Sequence, residues 1–445
     1  MKIRKVVIEK RVEYFPYLSN KKNQINMWFW IILVVIIVII GLVVFNQYCK
    51  YKQNNYQTTM LKRMNEQSIF LQTETIFVSI WSYKDPEVAK TIYNLFAKSY
   101  FPFNITIGVC DQRDFNAGAS SLIQQIVDVA RTCQARGDTN VFSKHPEHFF
   151  SNQVRVEEVP SSFARGPVIA RAMIEKRLYA GEKYYMMIDS ATRFVDAWDQ
   201  KALETFHACS SAKPILTFQP ACYDLHTNDP NLMLPTGSPP TSMTAQQFDS
   251  RSSLPKITSR FFQNVPSRPS QQLFWTPTFS FTFAAAHLEV PYDPYLRALT
   301  EGEEFIMSAR FWCAGWDFYN PSEMLCLQSS INEQTPNFAK ELRLSDQNAL
   351  SRLHCLLGMR PHESVHQDIL KEAHIYGPGE AMSRTASPQS NRSLIDYQKF
   401  CDINLKSRKI GRRARAGVTE DAPNDEILAK FGSFNNFRNY NRQQR

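Results

Sequence analysis

No glycine-rich phosphate loop occurs in these 445 residues, in either the GxxxxGK or the GxGxxG form. That speaks against nucleotide hydrolases and dinucleotide enzymes, which seat a phosphate on such a loop and the helix behind it. None of the nine cysteines forms a CxxC pair, so a zinc ribbon or a dithiol redox motif is not indicated. Eight of them follow Cys49, an even number that an oxidising compartment would allow to pair. Cys110, Cys222 and Cys355 sit in apolar surroundings and read equally well as buried thiols; no pairing is assigned. Acidic residues are absent from Lys406 to Arg415, where Lys406, Arg408, Lys409, Arg412, Arg413 and Arg415 crowd into ten residues. The run also lacks interleaved aromatics, so it reads as a solvated tail or a contact for anionic lipid, and no nucleic-acid partner is expected.

What is present is enough for a core: 43% apolar and 13% aromatic residues, with a net charge of +9. Met27 to Phe45 holds 19 uncharged residues, opening on Trp28, Phe29 and Trp30. The length suits a bilayer core and the aromatics an interfacial belt. Asn46, Gln47, Tyr48 and Cys49 follow in place of a small-residue cleavage site, so the run is predicted to be a signal anchor. Residues 1–26 carry seven Lys or Arg against two Glu, and residues 46–65 carry four. The positive-inside rule then puts the amino terminus in the cytosol and everything after residue 46 in the lumen. The expectation is a single-pass type II protein of the Golgi membrane.

The polar residues 46–74 read as a stem. Ile76, Val78 and Ile80 predict a strand ending near Ser82, and Asp85-Pro86 predicts a helix start. Val88, Ile92, Leu95 and Phe96 form one helical face; Ile105–Val109 reads as a second strand, Leu122–Val129 as a second helix, and Ile215–Phe218 as another strand. Such alternation predicts an α/β fold with a mostly parallel sheet and helices on both faces. From about 227 to 277 the composition turns to Pro, Ser, Thr and Gln, the mark of a functional loop, a partly disordered segment or a neutral insertion. Residues 406–445 read as a disordered basic tail.

The most informative stretch runs from Arg165 to Asp199. Ile169, Met173, Ile174 and Leu178 recur at helical spacing, and Gly181 follows as a cap. Tyr184 to Ile188 is then a continuous apolar run, as in a strand buried on both faces, and Asp189 stands just past its carboxyl end. Ligands of open α/β sheets bind at that edge. Arg165, Arg171 and Arg193 flank it in sequence, the complement of a diphosphate or simply of structural ion pairs.

The segments GPVIAR, GEKYYMMIDS and TRFVDAWD within this stretch resemble the GlcNAc-transferase family that includes the Skp1 hydroxyproline N-acetylglucosaminyltransferase and the protozoan polypeptide α-N-acetylglucosaminyltransferases. FVSIWSYKDPE (77–87), EGEEFIMSARFWCAGWDFYNP (301–321), RLHCLLG and RSLIDYQKFCDI (392–403) extend the resemblance in family order over residues 75–405. It implies a GT-A-like domain that transfers GlcNAc from UDP-GlcNAc to a hydroxyl of a protein acceptor with retention. It also implies donor contacts at Ser82, Tyr83, Asp85, Arg165, Arg171, Asp189, Ser190 and Arg193. Glu303 and Glu304 become the catalytic acidic pair, and Trp316, Asp317 and Tyr319 contacts for the acceptor or sugar. The family's metal element is Asp-Ser-His, which would hold Mn²⁺ or Mg²⁺, whereas this chain has Asp189-Ser190-Ala191. A second histidine, expected near Gln328, is missing too. Three outcomes stay open: a weak site built on Asp189 and the donor diphosphate, replacement of the cation by Arg or Lys, or a non-catalytic nucleotide-sugar or glycan-binding descendant that works as a membrane-tethered interaction protein.

Overall fold

The computed structural model describes residues 74–115, 120–138, 146–223, 240–329, 337–378 and 392–420, with the single residues Leu33 and Gln47. The chain divides into two units, Met1–Gln72 and Thr73–Arg445, and all the sheets belong to the second. Apart from Leu33, Gln47 and Glu74, the expected cytosolic segment, anchor and stem lie outside the described residues. Among the described residues, no helix is long and apolar enough to cross a membrane.

An eight-stranded mixed sheet carries the fold, in the order β10-β12-β6-β11-β4-β1-β2-β3. Its strands are β1 (Ile76–Tyr83), β2 (Ile105–Arg113), β3 (Val154–Pro160), β4 (Tyr184–Asp189), β6 (Pro214–Thr217), β10 (Ser270–Gln272), β11 (Phe279–Phe283) and β12 (Asp317–Asn320). β4, β1, β2 and β3 run parallel, as does β12 beside β6. β11 runs antiparallel between β4 and β6, and β10 closes the edge antiparallel to β12. The mixed α/β fold with a central sheet is thus as expected, with more antiparallel pairing than the sequence implied.

The two-residue period of the strands divides their side chains between two cores. Ile76, Val78 and Ile80 of β1, with Tyr184, Met186 and Ile188 of β4, pack into one face. That face is covered by the helices Val88–Lys98, Leu122–Ala135 and Trp198–His207, which supply Ile92, Phe96, Ile126, Ala130 and Trp198. Phe77, Tyr185 and Met187 turn the other way, against Val168 and Ile174 of helix Pro167–Arg177 and Phe305 and Ala309 of helix Glu303–Cys313. Every residue of Tyr184–Ile188 is buried, which is why the run reads as continuous rather than alternating.

A small second sheet, β5 (Thr192–Phe194), β13 (Cys326–Ser329) and β7 (Ala221–Tyr223), sits just beyond the end of β4. Its register pairs Gln328 with Thr192 and with Cys222.

Two segments depart from their sequence reading. Within 227–277, residues 240–277 are folded: β8 (Thr241–Phe248) and β9 (Pro255–Phe261) form an antiparallel hairpin and β10 joins the main sheet. The first part of the tail is folded as well. β14 (Ile403–Asn404) pairs with β15 (Lys409–Ile410), and helix Arg412–Ala416 follows, burying Ala414 and Ala416. The two segments meet each other: Gln246 Nε2 donates to the Arg415 carbonyl at 2.9 Å, Ser242 Oγ to the Gly417 carbonyl at 3.2 Å, and Phe262 packs on Ala416 and Val418. Neither shows a periodicity of its own because each supplies the other's buried surface. Cys110, Cys209, Cys326, Cys355 and Cys401 are free thiols.

Candidate functional site at the carboxyl end of β4

Asp189 ends β4 opposite Trp81 of β1. Two helices converge on it, and each starts from a glycine in the left-handed region, Gly166 (φ 97°) before Pro167 and Gly302 (φ 101°) before Glu303. The backbone angle favours glycine there, and a Cβ on Gly302 would lie 2.4 Å from Leu254 Cδ1, which would have to shift. These starts bring Arg171 from one helix against Glu303 from the other. Arg171 Nη1 donates to both Glu303 oxygens at 2.6 and 2.7 Å, and its Nη2 lies 3.6 Å from Asp189 Oδ1. Tyr292 donates its hydroxyl to Glu303 Oε1 at 2.8 Å, and the Arg171 guanidinium lies 5.9 Å from the Trp81 ring centroid.

Burial works against the Arg171 charge, but Glu303, Tyr292 and Asp189 outweigh it and raise its pKa. Burial pushes the Asp189 carboxyl up; Arg171 opposes that without cancelling it. Glu303 is saturated by its partners. Glu304, one residue on, is different: burial and the Glu303 charge raise it to about 7, and it forms no ion pair among the described residues. The Asp189 side chain remains 23% exposed, so the cluster opens to solvent there.

The other expected donor contacts divide. Ser190 donates to Asp85 Oδ2 at 2.5 Å, and Asp85 Oδ1 accepts the Glu87 N–H at 2.9 Å. Asp85 therefore holds the loop beside Asp189 as well as the turn ahead of the helix, which begins at Val88. Ser82 is buried at the end of β1, and its hydroxyl has no hydrogen-bond partner among the described residues. Tyr83 donates to Glu341 at 3.0 Å, and burial followed by Glu341 raises its pKa to about 12. Arg193 is held by Glu87 at 2.5 Å and Thr91 at 3.1 Å, and packs on the Tyr223 ring. Arg165 donates to the carbonyls of Ser162 and Ala164 and forms no ion pair among the described residues. Two of the three flanking arginines are thus already neutralised by carboxylates.

Trp316, Asp317 and Tyr319 are not brought to this site. Asp317 pairs in register with Pro214 at the start of β6, the edge of the sheet opposite Asp189. Its carboxylate accepts from Ser211 and Arg392 at 2.7 and 2.9 Å. Trp316 is buried and donates to Glu289, and the Tyr319 hydroxyl meets Ser210. In the structure these three residues take part in packing and edge pairing.

Sequence reasoning passed over two residues. Tyr292 had no local signal. Gln328 stands near the place of the missing histidine, and its Nε2 donates to Asp189 Oδ2 at 2.5 Å. Gln328 Oε1 in turn accepts from Gln219 Nε2 at 2.8 Å, and Gln219 Oε1 accepts from Thr278 at 3.1 Å.

A family described as "GlcNAc: Glycosyltransferase (GlcNAc)" matches residues 75–406. The chain belongs to this GlcNAc glycosyltransferase family. A comparison with curated protein sequences finds no match. Solved structures of similar fold include GalNAc-T7 with UDP, GalNAc and Mn²⁺, at 13% identity over 73% of this chain and TM-score 0.45; the chain spans 54% of that one. Staphylococcus aureus TarS 1–349 with UDP-GlcNAc is 13% identical over 77% of this chain and 84% of its own, with TM-score 0.34. The mannosyltransferase PcManGT from Pyrobaculum calidifontis, with GDP-Man and Mn²⁺, is 9% identical over 67% of this chain and 69% of its own, also at 0.34.

For this GlcNAc glycosyltransferase the question of a cation turns on the donor set. Among the described residues, no three His, Cys, Asp or Glu side chains are grouped so as to hold a metal. Ala191 offers only its carbonyl, which accepts the Ser329 N–H at 2.8 Å. The Asp189 carboxylate is the hard oxygen donor at the end of β4, and Gln328 presents its amide nitrogen to it, so a Mg²⁺ or Mn²⁺ there would depend on Asp189 and substrate phosphate.

Proposed function

We propose that this glycosyltransferase takes GlcNAc from UDP-GlcNAc and places it, with retention, on a hydroxyl of a protein acceptor, working from a membrane tether in the Golgi lumen. The observation that carries the reading is the Arg171–Glu303–Tyr292 cluster behind the half-open Asp189 at the carboxyl end of β4. Asp189 and Ser190, held by Asp85, form the floor of the donor site. Transfer joins the acceptor oxygen to the anomeric carbon, breaks the bond from that carbon to the diphosphate, and releases UDP and the hydroxyl proton. Glu304, with a carboxyl near neutrality, is the side chain able to receive that proton. Glu303 holds Arg171 and keeps it oriented. A divalent cation bound at Asp189 would supply charge neutralisation for the departing diphosphate.

The test is donor hydrolysis and transfer by the purified chain against a panel of UDP-sugars, with Mn²⁺ and with EDTA, beside Asp189→Asn. The expected result is turnover of UDP-GlcNAc that Asp189→Asn abolishes with no change in circular dichroism or melting. Unchanged activity in that variant removes Asp189 from the site. Absence of UDP-sugar binding in every condition would favour the membrane-tethered binding protein.

A further inference from the structure

The folded part of the carboxyl-terminal segment does more than cover the β8–β9 hairpin. With helix Leu394–Phe400 it walls a groove of about 840 Å³. Ile403, which is buried, Ile410, half-buried, and Ile395, 64% exposed, give the groove its apolar surface. Lys399, Lys406, Arg408, Lys409 and Arg415 line it with charge, and all five are exposed. The local fold presents them. Cys401, Ile403 and Leu405 are buried at alternate positions, so Asn404 and Lys406 face outward. Asp402 is the one acid among the lining residues, and it is engaged, its Oδ2 accepting the Arg413 N–H at 3.1 Å. Lys399 pairs with Asp396 at 3.5 Å. Lys406, Arg408, Lys409 and Arg415 form no ion pair among the described residues.

We propose that this groove docks a partner protein through a short acidic segment bearing aliphatic side chains. Its Asp and Glu residues meet Lys406, Arg408, Lys409 and Arg415, and its aliphatic groups cover Ile395 and Ile410. The charges select for such a segment. Four unpaired cations around an apolar trough repel one another, and a partner that brings negative charge and aliphatic surface together relieves both the repulsion and the exposure. The volume lies within the range of roughly 300–1,000 Å³ that ligand sites occupy, enough for a few residues of peptide. No aromatic side chain lines the groove, so it lacks the platform on which nucleic-acid bases stack. On the proposed luminal topology it also faces away from the cytoplasmic leaflet, where anionic lipids concentrate. Tyr397 packs helix Leu394–Phe400 against Phe305 and Trp312 of helix Glu303–Cys313, so the cations stand on the domain core and are arranged before the partner arrives. The groove shares no lining residue with the cluster at Asp189, and docking there does not depend on sugar transfer.

The experiment is fluorescence anisotropy of a labelled peptide in which Asp and Glu flank an Ile-Leu pair, titrated with the purified full chain. Its counterpart with Asn and Gln for the acids, and soluble dihexanoyl phosphatidylserine, are the comparison ligands. Wild type is set beside Lys406→Glu with Lys409→Glu and beside Ile395→Ser, each checked by thermal unfolding. Expected is binding of the acidic peptide that weakens as salt rises from about 50 to about 300 mM, and at least tenfold weaker binding of the neutral counterpart. The double charge reversal should cost at least tenfold with the melting temperature unchanged, and Ile395→Ser should weaken binding without altering its salt dependence. If the charge reversal disturbs folding, Lys406→Gln with Lys409→Gln is read in its place. Equal binding of the neutral counterpart overturns the proposal, as does wild-type affinity in a folded double variant. Phosphatidylserine that binds more tightly than the peptide, and is lost in the same double variant, overturns it in favour of a lipid site.

Discussion

Arg171 and Glu304 show two fates of charge within one cluster. Arg171 is almost wholly buried, so its removal strands the Glu303 charge in a poorly hydrated place. Breaking a buried pair from one side costs about 3–5 kcal/mol, whereas replacing both members by apolar groups of similar volume is often close to neutral. Arg171→Ala should therefore lower the melting temperature sharply, and Arg171→Met with Glu303→Leu should recover much of the loss while transfer stays abolished. A double variant as unstable as the single one would show that the pair is not the unit. Glu304 gives a pH signature. Its folded pKa of about 7 lies above the ordinary 4.5, so the native state binds the proton more tightly than the unfolded chain. Stability is full below pH 4.5 and is lost as pH rises through 7, by at most about 3 kcal/mol at 1.36 kcal/mol per unit. Asp189, also raised, tilts stability the same way. Urea unfolding between pH 5 and 8 should give a shallower decline for Glu304→Gln than for wild type, and parallel curves would remove Glu304 as the titrating group.

At the scale of elements, legibility followed locality. β1, β4 and helix Pro167–Arg177 were readable because each carries its own pattern, as in Tyr184–Ile188, which is apolar throughout; Gly181, expected as the helix cap, lies beyond the observed cap at Leu178. Asp189 followed from them as the residue at a strand end. Gln328 was not readable as a partner, because it lies 139 residues away and arrives through the β13–β5 pairing. Helix Leu122–Ala135 outruns its expected end at Val129 because Ala130 and Cys133 continue the buried face with residues too small to mark it. The 406–420 segment misled for a different reason: its charges are solvent-facing, but Ala414 and Ala416 are covered by a partner segment far away in sequence. That packing makes a prediction at Gly411. A Cβ there would stand 2.0 Å from Asp402 Oδ2, the atom that accepts the Arg413 N–H at 3.1 Å. Gly411→Ala must push this carboxylate away and unseat the start of helix Arg412–Ala416, at about 1–3 kcal/mol for an overpacked site. Thermal unfolding should fall accordingly, and hydrogen exchange should speed up across both 412–418 and 241–248. An unaltered melting temperature would mean that the segment is not docked on the β8–β9 hairpin.

For the whole molecule, the chain ahead of the domain decides where the transferase would meet its acceptor. Met27–Phe45 is uncharged over 19 residues, about 28 Å as a helix at 1.5 Å per residue, close to the thickness of a bilayer core of about 30 Å. Seven Lys or Arg precede it, while the comparable flank after it has four. On the proposed anchor, that difference favours a cytosolic amino terminus, and a single span would put the family-matched residues 75–406 in the lumen. Such a protein resists alkaline carbonate extraction and comes out with detergent. In sealed microsomes an epitope at residue 1 should be digested by added protease while the domain from residue 74 onward is protected, until detergent opens the vesicle. Release by carbonate alone would end the anchor proposal. Protection of residue 1 with digestion of the domain would keep the anchor but reverse its sense, placing Asp189 and its neighbours among cytosolic acceptors. Because the orientation rests on so small an excess of Lys and Arg, replacing Lys21 and Lys22 by Gln should narrow it and populate the reversed form, whereas neutralising Lys406 and Arg408, far from the span, should leave the topology unchanged.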